Sequence, residues 1–164
     1  MIVRPATQAD IPSIRSIAER TWPVCYGPIL PEGQVAYMLD LMYSGNALAR
    51  QFEAGHRFLL IEEEGRGTGF ASHGPVPDGP GVEKLHKLYV LPDDQRRGRG
   101  RALVLAVKAA ARARGARILR LDVNRNNPAI GFYKRLGFSP VREQVTDIGG
   151  GFVMDDRVLE LQLA

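Results

Sequence analysis

Cysteine is almost absent: Cys25 stands alone in 164 residues, so no intramolecular disulfide can form and the composition suits a reducing compartment. A lone thiol beside Trp22 and Pro23 reads as incidental. Long apolar runs are missing as well. No stretch approaches the ~18 consecutive apolar residues of a membrane span, and Met1-Ile2-Val3-Arg4-Pro5-Ala6 has no signal-peptide core, so a cytoplasmic protein with no membrane partner is expected. Repeats, low-complexity tracts and long linkers are lacking, which leaves one expected domain over residues 1–164, long enough at 45% hydrophobic content for a real core. Two common phosphate signatures are also absent. No Lys-Ser/Thr completes a G-x-x-x-x-G-K-[ST] loop, and no glycine triplet has the G-x-G-x-x-G spacing.

Charge is present in excess of one sign, with 22 Lys and Arg against 18 Asp and Glu. The surplus gathers at Arg96 to Arg101 and at Arg112 to Arg120. The second patch falls late on a helix and at its exit, where cations suit the dipole and are solvated. A nucleic-acid partner would use such arginines, but few aromatics are interleaved with them, so none is expected.

The remaining pattern alternates helix and strand. Ile2 to Arg4 forms a first strand, and Thr7-x-x-Asp10 opens a helix with Ile11, Ile14, Ile17 and Ala18 on one face, ending at Pro23. Pro31 opens a second helix through Val35, Met38, Leu39 and Met42, and residues 46–54 form a third, closed by Gly55. Residues 57–63 and 68–72 read as a hairpin. A further strand ends at Val90, and the helix after it runs to about Arg114 with Leu103, Val107 and Ala110 as its apolar stripe. Alternation at Leu119, Leu121 and Val123 marks a strand, Asn127 caps a short helix with Pro128 at its first position, and residues 141–148 and 158–163 supply two last strands. This order predicts an α/β sheet with helices on both faces and a central strand-helix-strand unit.

The most informative stretch runs from Lys87 to Val104: a strand, a glycine-punctuated basic turn, and a helix. Gly98 and Gly100 lack a Cβ, so backbone N–H groups there can approach a ligand, and the helix that follows presents its positive end. Phosphate oxygens are the natural guests. A second segment, Asn124-Arg125-Asn126-Asn127-Pro128-Ala129-Ile130-Gly131-Phe132-Tyr133-Lys134-Arg135-Leu136-Gly137-Phe138, follows one helix and one strand later. Together the two resemble the GNAT superfamily of acetyl-CoA-dependent N-acetyltransferases: Gln95, Gly98 and Gly100 match its Gln/Arg-x-x-Gly-x-Gly/Ala motif, and Asn127 to Phe138 its Asn-x-x-Ala-x-x-Phe-Tyr-x-x-x-Gly-Phe motif.

That resemblance implies a mixed, mostly antiparallel sheet and acetyl-CoA as cosubstrate, with an amine acceptor and no metal. It assigns the pantetheine arm to the strand Leu88-Tyr89-Val90, through main-chain groups of Leu88 and Val90, and the pyrophosphate to N–H groups of Arg96, Arg97, Gly98, Arg99, Gly100 and Arg101, with Gln95 at the first position of the cofactor-binding motif. Asn127 contacts the cofactor arm, and Tyr133 protonates the departing thiolate. The general base stays open between Glu83 and His86, with His73 and Asp122 as further candidates. Strand alternation sets Glu83 on one face and His86 with Leu88 and Val90 on the other, unless a bulge reverses that parity. Tyr26 on one side, with Phe152 and the Asp155-Asp156 pair opposite, would form the acceptor walls, the two carboxylates attracting a cationic amine. The reaction implied is direct attack by a primary amine, a non-catalytic CoA-binding sensor being the alternative. Dimers are frequent in the superfamily.

Overall fold

Apolar residues alternate along the strands and so divide the core between the two faces of one sheet. The computed structural model describes residues 1–77 and 79–163. In chain order the elements are β1 (Ile2–Pro5), α1 (Ile11–Tyr26), α2 (Gln34–Tyr43), α3 (Gly45–Glu53), β2 (Arg57–Glu63), β3 (Arg66–Pro75) and β4 (Val82–Val90). There follow α4 (Arg99–Ala113), β5 (Ile118–Asn124), α5 (Ala129–Arg135), β6 (Ser139–Gly149) and β7 (Phe152–Gln162). Seven strands form a sheet in the order β1-β2-β3-β4-β5-β7-β6. Only β4 and β5 run parallel. Phe58, Leu60 and Phe70 meet Ile14, Trp22, Met38 and Leu48 of α1–α3 on one face. On the other, Ile61, Ala71, Leu85 and Leu121 meet Leu103, Val107 and Tyr133 of α4 and α5. The architecture is thus a mixed, mostly antiparallel sheet with helices on both faces. No helix among the described residues is long and apolar enough to cross a membrane.

Several boundaries differ from expectation for identifiable reasons. Helix α1 does not stop at Pro23 but continues to Tyr26. An internal proline removes one hydrogen bond and costs about 3 kcal/mol, yet Trp22 and Tyr26 are buried on either side of it, and two buried aromatics recover more than that. Helix α2 starts at Gln34 rather than Pro31, behind Gly33 at φ +83°. The apolar stripe of α4 uses Val104 and Ala111, with Ala110 only half-buried. Pro128 stands just before α5, whose first N–H, from Ala129, is received by the Asn127 side chain at 2.8 Å. Residues 152–156, expected as a loop, belong to strand β7: β6 and β7 pair as far as Gly149 and Phe152 around the glycine turn.

The feature that shapes the functional region lies in β4. His73 pairs with Leu85 and Ser72 with Lys87, so His86 is one residue too many on its strand. This bulge reverses the facing of every later side chain. Before it, Glu83 points toward α4, where Arg114 Nε approaches to 3.3 Å, and His86 points toward α3, its ring stacked on His56. After it, Leu88 and Val90 join the α4 face, while Lys87 sets its Nζ 5.1 Å from the Tyr43 ring centre on the opposite one. Glu83, not His86, therefore shares a face with Leu88 and Val90, the reverse of plain alternation.

Because Leu103 is fully buried beneath the start of α4, Leu103→Ala should destabilise the fold by about 2–5 kcal/mol. Urea unfolding followed by far-UV circular dichroism reads that loss. A change below about 1 kcal/mol would mean that α4 is not anchored as described.

Candidate active site between β4 and β5

Parallel pairing of β4 with β5 begins at Val82 and Ile118 and ends at Leu85 and Leu121. Beyond the bulge the two strands separate, and a cleft of about 760 Å³ opens between them. The N–H of Leu91 donates to Thr68 of β3 at 2.8 Å. Successive residues of a strand point their backbone groups to alternate sides, so Leu88 and Val90 turn theirs into the cleft. Gln95 Nε2 donates to the Val90 carbonyl at 3.0 Å; the backbone groups of Leu88 and the N–H of Val90 face a ligand-sized space. Such an edge suits a partner that pairs as an added strand.

At one end of this edge stands the N-terminus of α4. Arg96 at φ +65° and Gly98 at φ +81° turn the chain there. The N–H groups of Arg99, Gly100 and Arg101 have no intrahelical acceptor and point outward with the positive end of the dipole. A Cβ at Gly100 would lie 3.2 Å from the Phe132 ring, so the turn closes tightly onto α5 and leaves little room for a side chain there. The arginines divide. Arg96 and Arg101 line the cleft, whereas Arg97 does not line it and Arg99 is buried with its side chain turned away. Arg99 pairs with Glu63 and donates to the Asp94 carbonyl at 2.9 Å. Its side chain braces the turn against β2 and leaves only its N–H for a ligand.

Tyrosines close the other end. Tyr133 on α5 and Tyr89 on β4 line the cleft, as does Tyr26, carried there by the last turn of α1. The Tyr26 and Tyr89 hydroxyls lie 3.0 Å apart. Asn127 Nδ2 donates to Tyr26 Oη at 3.3 Å, so Asn127 both caps α5 and ties it to α1. Burial holds the Tyr133 phenol well above the usual tyrosine range, with Cys25 in the same wall as a secondary cause. Tyr133 is therefore a protonated donor at neutral pH.

A second, narrower cavity of about 70 Å³ adjoins the cleft, sharing Tyr26, His86, Tyr89 and Asp122 with it. Asp156 on β7 completes its polar side. Its carboxyl is buried, has no hydrogen bond or ion pair among the described residues, and is pushed up to about 6, first by burial and then by Asp122. Asp122 receives Lys84 Nζ at 2.9 Å. His86 borders both spaces, but burial and then its neighbour His56 pull it down to about 3, so the ring is neutral.

Other sequence candidates lie elsewhere. Glu83 is buried on the far face, 3.8 Å from His73 Nδ1, and lines neither cavity; His73 lies with it. Asp155 pairs with Arg125 at 3.0 Å. Phe152 packs on Tyr37 with ring centres 5.2 Å apart and holds the β6–β7 turn against α2. Of the expected pair Asp155 and Asp156, the inward carboxylate is Asp156. Only the register of β7 against β5, Asp156 opposite Asn124, decides between them.

Residues 11–138 match the model of the Acetyltransferase (GNAT) family. The chain is 29% identical to the uncharacterised N-acetyltransferase YuaI of Bacillus subtilis (strain 168), over 90% of this chain and 86% of that protein. It is 33% identical to the L-amino acid N-acyltransferase MnaT of Escherichia coli (strain K12), over 67% and 66%. Some other curated relatives are matched over only 26% and 33% of their own length. Among solved structures, the PaiA N-acetyltransferase of Thermoplasma acidophilum in complex with coenzyme A superposes with a TM-score of 0.80 at 22% identity, covering 98% of each chain.

Proposed function

The chain belongs to the acetyltransferase (GNAT) family and is an N-acetyltransferase; on that premise we propose that it passes the acetyl group of acetyl-CoA directly to a primary amine, without an acyl-enzyme. The observation that carries this reading is the unpaired inner edge of β4, running from the N-terminus of α4 to an acid-lined cavity.

Amide groups of the pantetheine arm pair with Leu88 and Val90, extending the sheet across the gap. Pyrophosphate oxygens accept from the N–H groups of the Gly98–Arg101 turn, with Arg96 and Arg101 adding charge-assisted contacts. The thioester then lies among Tyr26, Tyr89 and Tyr133. An acceptor amine arrives as an ammonium ion at neutral pH, since alkylamines titrate near ~10, and must lose a proton before attack. Asp156 accepts it, its affinity for protons raised toward neutrality by burial. The amine nitrogen bonds to the carbonyl carbon; as the tetrahedral intermediate collapses the C–S bond breaks, the Tyr133 phenol donates its hydrogen to the thiolate sulfur, and the second proton shed by the nitrogen restores the phenol, while Asp156 returns the first to solvent. The products are an N-acetylated amine and free CoA. His86, neutral, borders the path as a hydrogen-bonding wall. Glu83 has no part in this scheme, because it lies across the sheet beside Arg114.

Three measurements test the scheme. Replacing Gly98 and Gly100 with valine forces a side chain onto a positive φ and into the Phe132 ring; titration calorimetry should show acetyl-CoA affinity falling at least tenfold with an unchanged circular dichroism spectrum. Intact affinity would remove the turn from the site. Tyr133→Phe should lower kcat by about 10²-fold, within the range for a lost general acid, while the Kd for acetyl-CoA hardly moves; unaltered turnover would strip Tyr133 of its role. For the pH profile, a carboxyl acts as a base only when ionised. Log kcat should therefore rise with unit slope below the Asp156 pKa of about 6 and flatten above it, and Asp156→Asn should erase that limb. A profile unaffected by this substitution would place the base elsewhere.

A further inference from the structure

Building on the transferase reading, we propose that the acceptor is a compact amine without a carboxylate: an ammonium group on a short apolar body, drawn in by Asp156 and Asp122, and not a free amino acid. The cavity beside the cleft is small and has two sides of different chemistry. Leu30, Met38, Met42 and Met154 form an apolar side. Opposite stand two carboxylates, and no Lys or Arg lines the space among the described residues.

Asp156 points to a ligand in its own right. It is 4% exposed, borders the cavity, and receives no hydrogen bond or salt bridge from the described residues. A buried carboxylate without a partner is unfavourable, and a cation brought by the ligand removes that penalty. Asp122 has one oxygen on Lys84. Trp22 and Tyr89 border the same space with electron-rich rings.

The same features work against a second negative charge. The carboxylate of a free amino acid would enter beside Asp122 and Asp156 and find no cation to receive it. Of the nearby positive groups, Lys84 is engaged with Asp122 and Arg125 with Asp155 and Glu143, while Lys87 sits over the Tyr43 ring and lines the cleft, not this cavity. The neutral groups do not supply the missing charge: Gln34 Nε2 donates to the Val153 carbonyl at 2.8 Å, and Asn124, whose Oδ1 accepts from the Asn126 N–H at 2.9 Å, and Trp22 offer only uncharged N–H groups. Discrimination therefore comes from repulsion and desolvation of the wrong ligand as much as from attraction of the right one. The chemistry of this cavity separates the chain from its relative named for L-amino acids.

The test compares pairs that differ by one carboxylate: 3-methylbutylamine with leucine, 2-phenylethylamine with phenylalanine, and 1,5-diaminopentane with lysine. Thiol release from acetyl-CoA gives kcat/KM for each, and calorimetry on the protein saturated with CoA gives the Kd without turnover. In every pair the amine should exceed its amino acid by at least tenfold in both readouts, and Asp156→Asn should shrink the ratio of Kd values to below about threefold. Equal or better use of the amino acids overturns the acceptor inference and leaves acetyl transfer standing. Selective amine binding with no thiol release from any member supports the inference and overturns the transferase reading. Failure of every amine to bind overturns the inference.

Discussion

One extra residue in a strand governs this site. Without His86 in excess, β4 and β5 would pair along their whole length and satisfy each other's backbone groups. With it, the pairing stops at Leu85 and Leu121, and the polar edge of β4 beyond that point faces a cleft instead of a neighbour. Buried backbone donors and acceptors need partners. The protein thus carries, inside its central sheet, an edge that a ligand with amide groups in an extended arm can complete. The cost of interrupting the sheet is borne by two cores, one on each face, which hold β4 from β3 and β5 from β7 independently of the gap.

The same bulge assigns chemistry to faces. Glu83, before it, faces Arg114, and His86 borders the cleft with its ring stacked on His56. The bulge also brings Tyr89 beside Tyr26, where the continuation of α1 past Pro23 places the partner hydroxyl. Around this junction the environments diverge. Phenols are kept protonated by burial, while a carboxyl a short way off is tuned upward toward neutral pH. At the far end the N-terminus of α4 presents unpaired N–H groups to the cleft, and the arginines around it divide. Arg99 belongs to the scaffold through Glu63 and Asp94, and Arg96 and Arg101 to the cleft.

What was legible in the sequence was short-range. Gln95, Gly98 and Gly100, and the run from Asn127 to Phe138, declare a turn and a cap whose geometry follows from local residue types, and both stand where expected. Alternation along β5 and the spacing of α1 and α4 were equally readable. What escaped depends on registers and on burial elsewhere in the chain. Parity after His86 cannot be known without the pairing of β3. Choosing Asp156 over Asp155 needs the alignment of β7 on β5, and the strand character of residues 152–156 follows from hairpin closure at Gly149 and Phe152. Proline read as a helix stop at position 23 because its local penalty is visible in sequence, whereas the aromatic packing that outweighs it is tertiary. The pairing of the Arg99 side chain with Glu63, 36 residues earlier, likewise depends on tertiary packing and has no local signal.

The most direct test of the central claim is amide hydrogen exchange of β4 with and without acetyl-CoA. If the cosubstrate completes the sheet, the N–H groups of Leu88 and Val90 slow markedly on its addition, together with those of Arg99 to Arg101, while Tyr89, already directed toward β3, changes little. Binding of acetyl-CoA that leaves Leu88 and Val90 exchanging at their original rates would contradict the account.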